Sequence, residues 1–155
     1  MDSKKIGICM IGAGLRSNVT RLLFGKHSNV KLISICDPDH KRAAERAESL
    51  GFNDVKIFSQ CEEAINQPGV DWVMIFSPNT CHAGHIMAAL KAGKNVFTEK
   101  PMATTIEDCE EVFKAFNNSN CQLVTGFVLR YSSIYRKVKE LLDAGTIGKI
   151  ISVEA

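Results

Sequence analysis

The sequence has no long apolar run. A membrane-spanning helix needs about 20 consecutive apolar residues, and no stretch of the 155-residue chain approaches that length. The apolar run that starts at Ile6 ends at Gly12, and it is shorter than the apolar region of a secretory signal peptide. We therefore expect neither a membrane partner nor a signal peptide, and we predict a cytoplasmic protein.

The sequence also lacks a cluster of basic residues. Its 19 lysines and arginines are spread along the chain and are nearly balanced by 17 acidic residues, for a formal charge of +2. Nucleic-acid-binding domains concentrate basic residues on one face or in one block. The charge pattern therefore predicts no nucleic-acid partner. Hydrophobic residues make up 45% of the chain, which excludes general disorder. A length of 155 residues suits one packed domain with few residues outside it.

No two cysteines have C-x-x-C spacing. Zinc sites need paired ligand spacing, and disulfide frameworks belong to small secreted domains. We expect structural thiols and no metal site. The six cysteines are Cys9, Cys36, Cys61, Cys81, Cys109 and Cys121.

Short apolar runs alternate with segments of helical periodicity through most of the chain. The apolar runs predict strands at Ile6–Ile11, Val30–Cys36, Val55–Phe58, Asp71–Phe76, Asn95–Thr98 and Gln122–Val128. The segments between them predict helices at Leu15–Phe24, Asp39–Leu50, after a capping box at Ser59–Glu62, at Cys81–Lys91, and from Thr105 to about Phe116. Apolar strands alternating with helices predict a parallel sheet covered on both faces, the doubly wound α/β fold of Rossmann type.

The pattern changes after the sixth strand. A helix is expected at Ser132–Ala144, and a β-type run follows at Lys149–Ala155. We predict a dinucleotide-binding domain over residues 1–128. We interpret residues 129–155 as a linking helix and the first strand of a truncated second α/β domain that binds substrate.

A glycine-rich turn, Gly12-Ala13-Gly14-Leu15-Arg16-Ser17, directly follows the first predicted strand. In a dinucleotide-binding turn the first glycine makes a tight bend, and the second lets the pyrophosphate approach the backbone. Helix-terminal N–H groups then hold the phosphate charge. Serine replaces the third glycine here. Gly12, Gly14, Leu15 and Arg16 are thus candidate cofactor-binding residues, although the pattern alone also fits a glycine turn without a ligand.

Asp37 ends the second predicted strand, about 25 residues after the glycine turn. A carboxylate there accepts hydrogen bonds from the adenosine ribose and repels a 2′-phosphate, which favours NAD over NADP. A turn-forming or helix-capping role is the alternative. Lys41 and Arg42 would be able to attract a 2′-phosphate.

Three further segments follow predicted strands, where ligands bind in such sheets. They are Ser77–His82, Glu99-Lys100-Pro101 and Gly126–Tyr131. A lysine beside a carboxylate at a strand end can donate a proton or bind an oxygen during hydride transfer. Taken alone, the triplet is better explained as a solvated ion pair before a turn proline.

In order along the chain, these motifs resemble the Gfo/Idh/MocA family, which includes glucose–fructose oxidoreductase and inositol dehydrogenase. The resemblance covers nearly the whole chain. It rests on the glycine turn, Asp37, Ser77-Pro78-Asn79 with His82, Ala88-Ala89-Leu90, Gly93-Lys94, Glu99-Lys100-Pro101, Gly126-Phe127, Arg130-Tyr131 and Ile147-Gly148-Lys149.

The resemblance implies a role for each matched residue. Lys100 is implied as the catalytic lysine, and Glu99 as a contact of the nicotinamide ribose. Pro101 is expected to follow a cis peptide bond. The remaining implied cofactor contacts are Ser77, Pro78, Asn79, His82 and Arg130. His85 is expected to be ordinary helix surface.

These residues predict an NAD-dependent dehydrogenase that moves a hydride between NAD and a hydroxyl carbon of a sugar, polyol or related small molecule. Two alternatives stay open: a glycosidase of the same family that retains NAD, and a non-catalytic dinucleotide sensor. The resemblance also implies that the full-length protein is a homo-oligomer.

Overall fold

The computed structural model describes residues 5–154, and these residues build one parallel sheet. The strands are β1 (Ile6–Ile11), β2 (Val30–Cys36), β3 (Lys56–Phe58), β4 (Trp72–Ile75), β5 (Asn95–Thr98) and β6 (Leu123–Thr125). Their spatial order is β3-β2-β1-β4-β5-β6, with every neighbouring pair parallel. The strand order reverses beside β1, as in a doubly wound sheet. The predicted fold class is confirmed.

Helices cover both faces of the sheet. They are α1 (Thr20–Lys26), α2 (His40–Ser49), α3 (Cys61–Ile65), α4 (His82–Lys91), α5 (Ile106–Asn117) and α6 (Ser133–Asp143). Short 3₁₀ turns occur at Leu15–Val19, Asn79–Cys81 and Val128–Tyr131. Between residues 5 and 154, no helix has both the length and the apolar character needed to span a bilayer.

The core has two parts, one on each side of the sheet, because successive side chains of a strand point to opposite faces. Cys9 and Ile11 of β1 pack on one face with residues of α3, α4 and α5. Ile8 and Met10 pack on the other face with residues of α2. Met10 is fully buried. Burial on both faces explains why these strands are continuous apolar runs.

At one of the two predicted capping boxes the N-cap hydrogen bond forms. Thr105 caps α5, because its hydroxyl oxygen accepts a hydrogen bond from the Asp108 N–H at 3.1 Å. The capping box predicted at Ser59 is wrong. Gln60 occupies the N-cap of α3 without a side-chain cap bond, and the Ser59 hydroxyl instead lies 2.6 Å from Nε2 of His40. A side-chain partner from α2 therefore replaces the local cap.

The segment after the glycine turn is less regular than predicted. Instead of one helix at Leu15–Phe24, a 3₁₀ turn at Leu15–Val19 precedes α1. The Ser17 N–H and hydroxyl both donate to the Gly14 carbonyl, at 3.1 and 2.7 Å. A bond between residues three apart defines a 3₁₀ turn, so Ser17 tightens the first turn after the glycines.

The last strand is shorter than predicted and the following helix is confirmed. β6 ends at Thr125, where close turn bonds from Phe127 and Val128 lead into the 3₁₀ turn. α6 matches the predicted helix within a residue at either end. Residues 149–154 pair with none of the six strands, and their assignment to the first strand of a second domain stays a prediction. Ala155 lies outside the described residues.

Candidate functional site

The glycine turn lies at the carboxyl end of β1 and holds Gly12 against the segment after β4. Gly12 has φ +91°, a conformation that residues with a side chain rarely adopt. A Cβ there would lie 2.7 Å from the Phe76 carbonyl and from the Ser77 nitrogen. Both the backbone conformation and the close approach therefore require glycine, independently of any ligand.

Gly14 differs, because nothing in the folded chain requires it. Its φ is −69°, and no heavy atom lies within 4 Å of a Cβ placed there. The space over the turn is open, as needed for a pyrophosphate to approach the backbone. Leu15, the next residue, is 87% exposed beside this space. The turn thus has the shape that a dinucleotide requires.

Asp37 follows β2 and is buried beside the glycine turn. Its Oδ2 accepts a hydrogen bond from the Ala13 N–H at 2.8 Å, and its Oδ1 accepts from the Asp39 N–H at 2.9 Å. The Arg42 guanidinium pairs with the same carboxylate at 2.6 Å. Burial raises the pKa of Asp37, but the hydrogen bonds from Arg42, Ala13 and Asp39 outweigh it and hold that pKa below its usual value.

The bond to the Asp39 N–H is the turn role that sequence analysis left open for Asp37. The bond to the Ala13 N–H places the same carboxylate against the dinucleotide turn. The same side chain therefore joins the glycine turn to the start of α2.

A cavity of about 380 Å³ opens between the glycine turn and the ends of β4 and β5. Six of the predicted site residues line it: Arg16, Ser77, Asn79, His82, Glu99 and Lys100. Two lining residues, Phe76 and Val128, were not predicted as contacts, although Val128 lies in the segment Gly126–Tyr131 that the sequence pointed to. Both are apolar like any core residue, so only the position of that segment was a signal.

An ion pair joins two elements across this cavity. Arg16 Nη2 lies 2.8 Å from Glu99 Oε1, with the Arg16 side chain 49% exposed and that of Glu99 6% exposed. Glu99 also lies close to the chain after β6, because a Cβ placed on Gly126 would lie 3.4 Å from its Oε1. The arginine thus neutralises a buried carboxylate at the end of β5.

His82 fixes the chain on the other side of Lys100. The Lys100–Pro101 peptide bond is cis, as predicted. His82 is 1% exposed, with Nδ1 2.6 Å from the Pro101 carbonyl oxygen and Nε2 2.9 Å from the Ser77 carbonyl oxygen. Carbonyl oxygens only accept hydrogen bonds, so a ring nitrogen that carries a proton can donate it to the carbonyl that it faces. The ring therefore ties the segment after β4 to the segment after β5.

The prediction that His85 is ordinary helix surface is wrong. His85 is half-buried, and its Nδ1 lies 2.9 Å from the Ser77 hydroxyl. Burial, and then the neighbouring charge of His82, lower the pKa of His85, while Glu62 opposes them. The spacing of three residues from His82 places both rings on one face of α4, which was the available signal.

Arg130 lies outside this cavity. It is exposed in the 3₁₀ turn after β6, with its guanidinium carbon 5.1 Å from the centre of the Phe127 ring. It lines a separate groove with residues of α6, including Tyr135 and Lys139. The structure does not bring Arg130 together with Glu99 and Lys100.

The cysteines are all free thiols. Burial is the main factor that raises the pKa of Cys9 to about 12 and that of Cys36 to about 11. Buried thiols with a raised pKa are poor nucleophiles. Within residues 5–154, no group of three or more histidine, cysteine or acidic side chains could hold a metal ion.

The arrangement of glycine turn, strand-end acid and cavity agrees with a comparison against protein families. Residues 6–127 match the model of the Gfo/Idh/MocA family, described as an oxidoreductase family with an NAD-binding Rossmann fold. The chain belongs to this family. The resemblance stated from the sequence is confirmed, and the domain is an NAD-binding one.

Inositol dehydrogenases are among the members of the Gfo/Idh/MocA family that the chain resembles. Inositol 2-dehydrogenase 3 of Saccharopolyspora erythraea is 38% identical over 144 residues, which are 92% of this chain and 40% of that protein. Myo-inositol 2-dehydrogenase of Thermotoga maritima is 34% identical over 118 residues, 76% of this chain and 35% of that protein. The chain thus spans about 40% of the length of the first of these relatives.

Solved structures of inositol dehydrogenases are also similar to this chain. Scyllo-inositol dehydrogenase of Lactobacillus casei, solved with NAD(H) and scyllo-inositol, has a TM-score of 0.87 at 30% identity. The match covers 95% of this chain and 43% of that one. Myo-inositol dehydrogenase of the same organism, solved with NAD(H) and myo-inositol, has a TM-score of 0.85 at 28% identity, over 93% and 43% of the two chains.

Proposed function

We propose that this chain supplies the NAD site and the catalytic lysine of a dehydrogenase that acts on a hydroxyl group of a polyol or sugar. The observation that carries the proposal is the cavity in which Lys100, Glu99 and Asn79 meet beside the glycine turn. The inositol dehydrogenases among the relatives support the choice of substrate class. The remaining substrate contacts come from the part of those relatives that this chain does not match.

The cofactor contacts divide between two sides of the glycine turn. Gly12, Gly14, Leu15 and Arg16 would hold the pyrophosphate, and Asp37 would bind the adenosine ribose. On the other side, a second set of residues would hold the nicotinamide half: Ser77, Pro78, Asn79, Glu99 and Pro101. When bound, NAD would accept the hydride that the substrate carbon gives up.

Lys100 has the proton-transfer role. Its side chain is exposed and reaches the cavity, so its Nζ, as the neutral amine, can accept a hydrogen bond from a substrate hydroxyl and take up that proton while the substrate carbon loses hydride. Because His82 holds the Pro101 carbonyl, it fixes the chain that carries Lys100. We therefore assign His82 as a positioning residue with no free ring nitrogen for the cofactor.

We propose that Arg130 contacts the substrate or the cofactor in the complete protein, and not in the cavity described above. It shares a groove with α6 in this chain, next to the segment that continues into the unmatched part of the relatives. We also place the protein in the cytoplasm, because its six free thiols suit a reducing compartment. The complete protein is proposed to be a homo-oligomer on the basis of the family resemblance.

The test uses the complete protein with Lys100→Met. We expect turnover of inositols and related polyols to fall about 100-fold or more, while NADH binding stays close to that of the unaltered protein. Lys91→Met, at the exposed end of α4, is the matched control and is expected to change neither quantity. Unchanged turnover in Lys100→Met would show that Lys100 is not the proton carrier.

A further inference from the structure

The Asp37 carboxylate already has a full set of hydrogen-bond donors. Ala13 N–H and Arg42 Nε donate to its Oδ2 at 2.8 and 3.3 Å. Asp39 N–H and Arg42 Nη2 donate to its Oδ1 at 2.9 and 2.6 Å. An ionised carboxylate has about four lone-pair positions, so the four donors occupy all of them. The carboxylate is also only 4% exposed, which leaves no open side for another ligand.

The four donors differ in how easily they can leave. The Ala13 N–H belongs to the glycine turn, and the Asp39 N–H precedes α2, so both are fixed by the backbone. Arg42 lies in the first turn of α2, and its side chain is 50% exposed. A half-exposed arginine can turn into solvent by rotating its own side chain, with no change in the backbone. Arg42 is therefore the donor that can be exchanged.

A ribose with two free hydroxyls needs the two positions that Arg42 fills. Resting on the proposed role of Asp37 in ribose binding, we propose that Arg42 competes with the adenosine ribose for Asp37 and thereby sets the preference between NAD and NADP. Binding of NAD displaces the guanidinium from the carboxylate. The freed guanidinium then lies beside the ribose, next to Lys41, where it is available to a 2′-phosphate.

The competition predicts effects of opposite sign on the two cofactors. Removing the guanidinium frees two positions on Asp37 that NADH would otherwise have to clear, so NADH should bind more tightly. NADPH loses the cation that would pair with its 2′-phosphate and meets an unpaired carboxylate instead, so it should bind more weakly. If Arg42 simply held the cofactor, its removal would weaken the binding of both NADH and NADPH.

The experiment is a calorimetric titration of the protein with NADH and with NADPH, in the original form and as Arg42→Met. We expect NADH affinity to rise about threefold to fivefold, the scale of one half-exposed ion pair, and NADPH affinity to fall about tenfold. Lys41→Met is the matched control. It removes one charge from the same turn, and its Nζ lies 4.0 Å from Glu45, so we expect no opposite shift of the two cofactors.

Two further measurements keep the outcomes apart. The ¹⁵N NMR signal of the Arg42 Nε–H should move to the position of a solvated arginine on saturation with NADH, and an unchanged signal would contradict displacement. NADH binding that weakens in Arg42→Met would overturn the competition but leave the role of Asp37 intact. Failure of the original protein to bind NADH, or Asp37→Asn with unchanged binding, would overturn the proposed ribose site itself.

Discussion

Arg16 Nη2 and Glu99 Oε1 lie 2.8 Å apart, and their ion pair links the glycine turn after β1 to the strand end that carries Lys100. The two residues are far apart in the chain, and each belongs to a motif that sequence analysis identified separately. Glu99 is nearly buried while Arg16 is half exposed. The pair therefore keeps a carboxylate at the bottom of the cavity without leaving its charge unbalanced.

Removal of Arg16 tests this coupling. Arg16→Met leaves the buried Glu99 carboxylate without its cation, so we expect the free energy of unfolding to fall by about 1–2 kcal/mol. The double variant Arg16→Met with Glu99→Gln should recover part of that loss, since it removes the unpaired charge. Urea denaturation of all four proteins gives the coupling energy. Strict additivity of the two single losses would show that the pair does not interact.

The two glycines of the turn are expected to respond differently to alanine. Gly12→Ala places a Cβ 2.7 Å from the Phe76 backbone at φ +91°, so we expect a loss of about 2 kcal/mol or more in stability. Gly14→Ala meets no atom within 4 Å and should leave the melting temperature nearly unchanged. Its NADH affinity should nevertheless fall about tenfold, because the methyl group enters the space proposed for the pyrophosphate.

The reverse pattern would contradict this division of roles. If Gly14→Ala unfolded the protein, or if it bound NADH normally, Gly14 would not mark the pyrophosphate site. Gly84→Ala, in the exposed part of α4 with no atom near a Cβ, is the control for a glycine replaced in open space.

Asp37 should make stability depend on pH. Its pKa lies below the ordinary value of 3.8, so the folded state favours the ionised form. The resulting stabilisation is complete above about pH 3.8 and is lost as pH falls through the lower pKa of the folded state. Asp37→Asn should therefore be destabilised by about 1–3 kcal/mol at neutral pH, and the difference should shrink in acid.

Urea denaturation over this pH range provides the measurement, with Asp54→Asn as the control at an exposed position. A gap between Asp37→Asn and the unaltered protein that stayed constant into acid would show that ionisation of Asp37 does not stabilise the fold.

His82 is expected to matter for both stability and cofactor binding. His82→Asn leaves at least one of the Ser77 and Pro101 carbonyls without its donor, at a cost of about 1–3 kcal/mol. NADH binding should weaken as well, because the two segments that His82 joins, after β4 and after β5, both line the cavity. Urea denaturation gives the stability of each variant, and titration with NADH gives its affinity. The exposed His27→Asn is the control, and equal stability of the two variants would refute the assignment.

Sequence reasoning located the strands because burial on both faces and flanking glycines leave a local signature. β1 and β2 agree with their predicted bounds, as does β5. The same reasoning placed Asp37 just after β2 and Lys100 just after β5, where the structure has them, while their roles stay predictions. Errors arose where a distant partner decides the outcome. Ser59 forms a hydrogen bond with His40 and does not cap the helix that follows it.

The pairs that organise the site were beyond local patterns for the same reason. Nothing near Arg16 in the sequence indicates Glu99 as its partner, and His82 gives no local sign of the carbonyl at Pro101. Arg42 was noted only as a possible attractor of phosphate. Its hydrogen bonds to Asp37 depend on the angle at which α2 leaves β2, which only the folded backbone determines.

The position of β1 in the middle of the strand order separates two kinds of evolutionary change. Asp37 and Arg42 lie on the β2 side, whereas Glu99 and Lys100 lie on the β5 side, with the glycine turn between them. Under the roles proposed for these residues, substitutions after β2 alter which dinucleotide is preferred without disturbing the residues that handle the substrate proton. A lineage with this strand order can thus change its cofactor preference and its reaction in separate mutational steps.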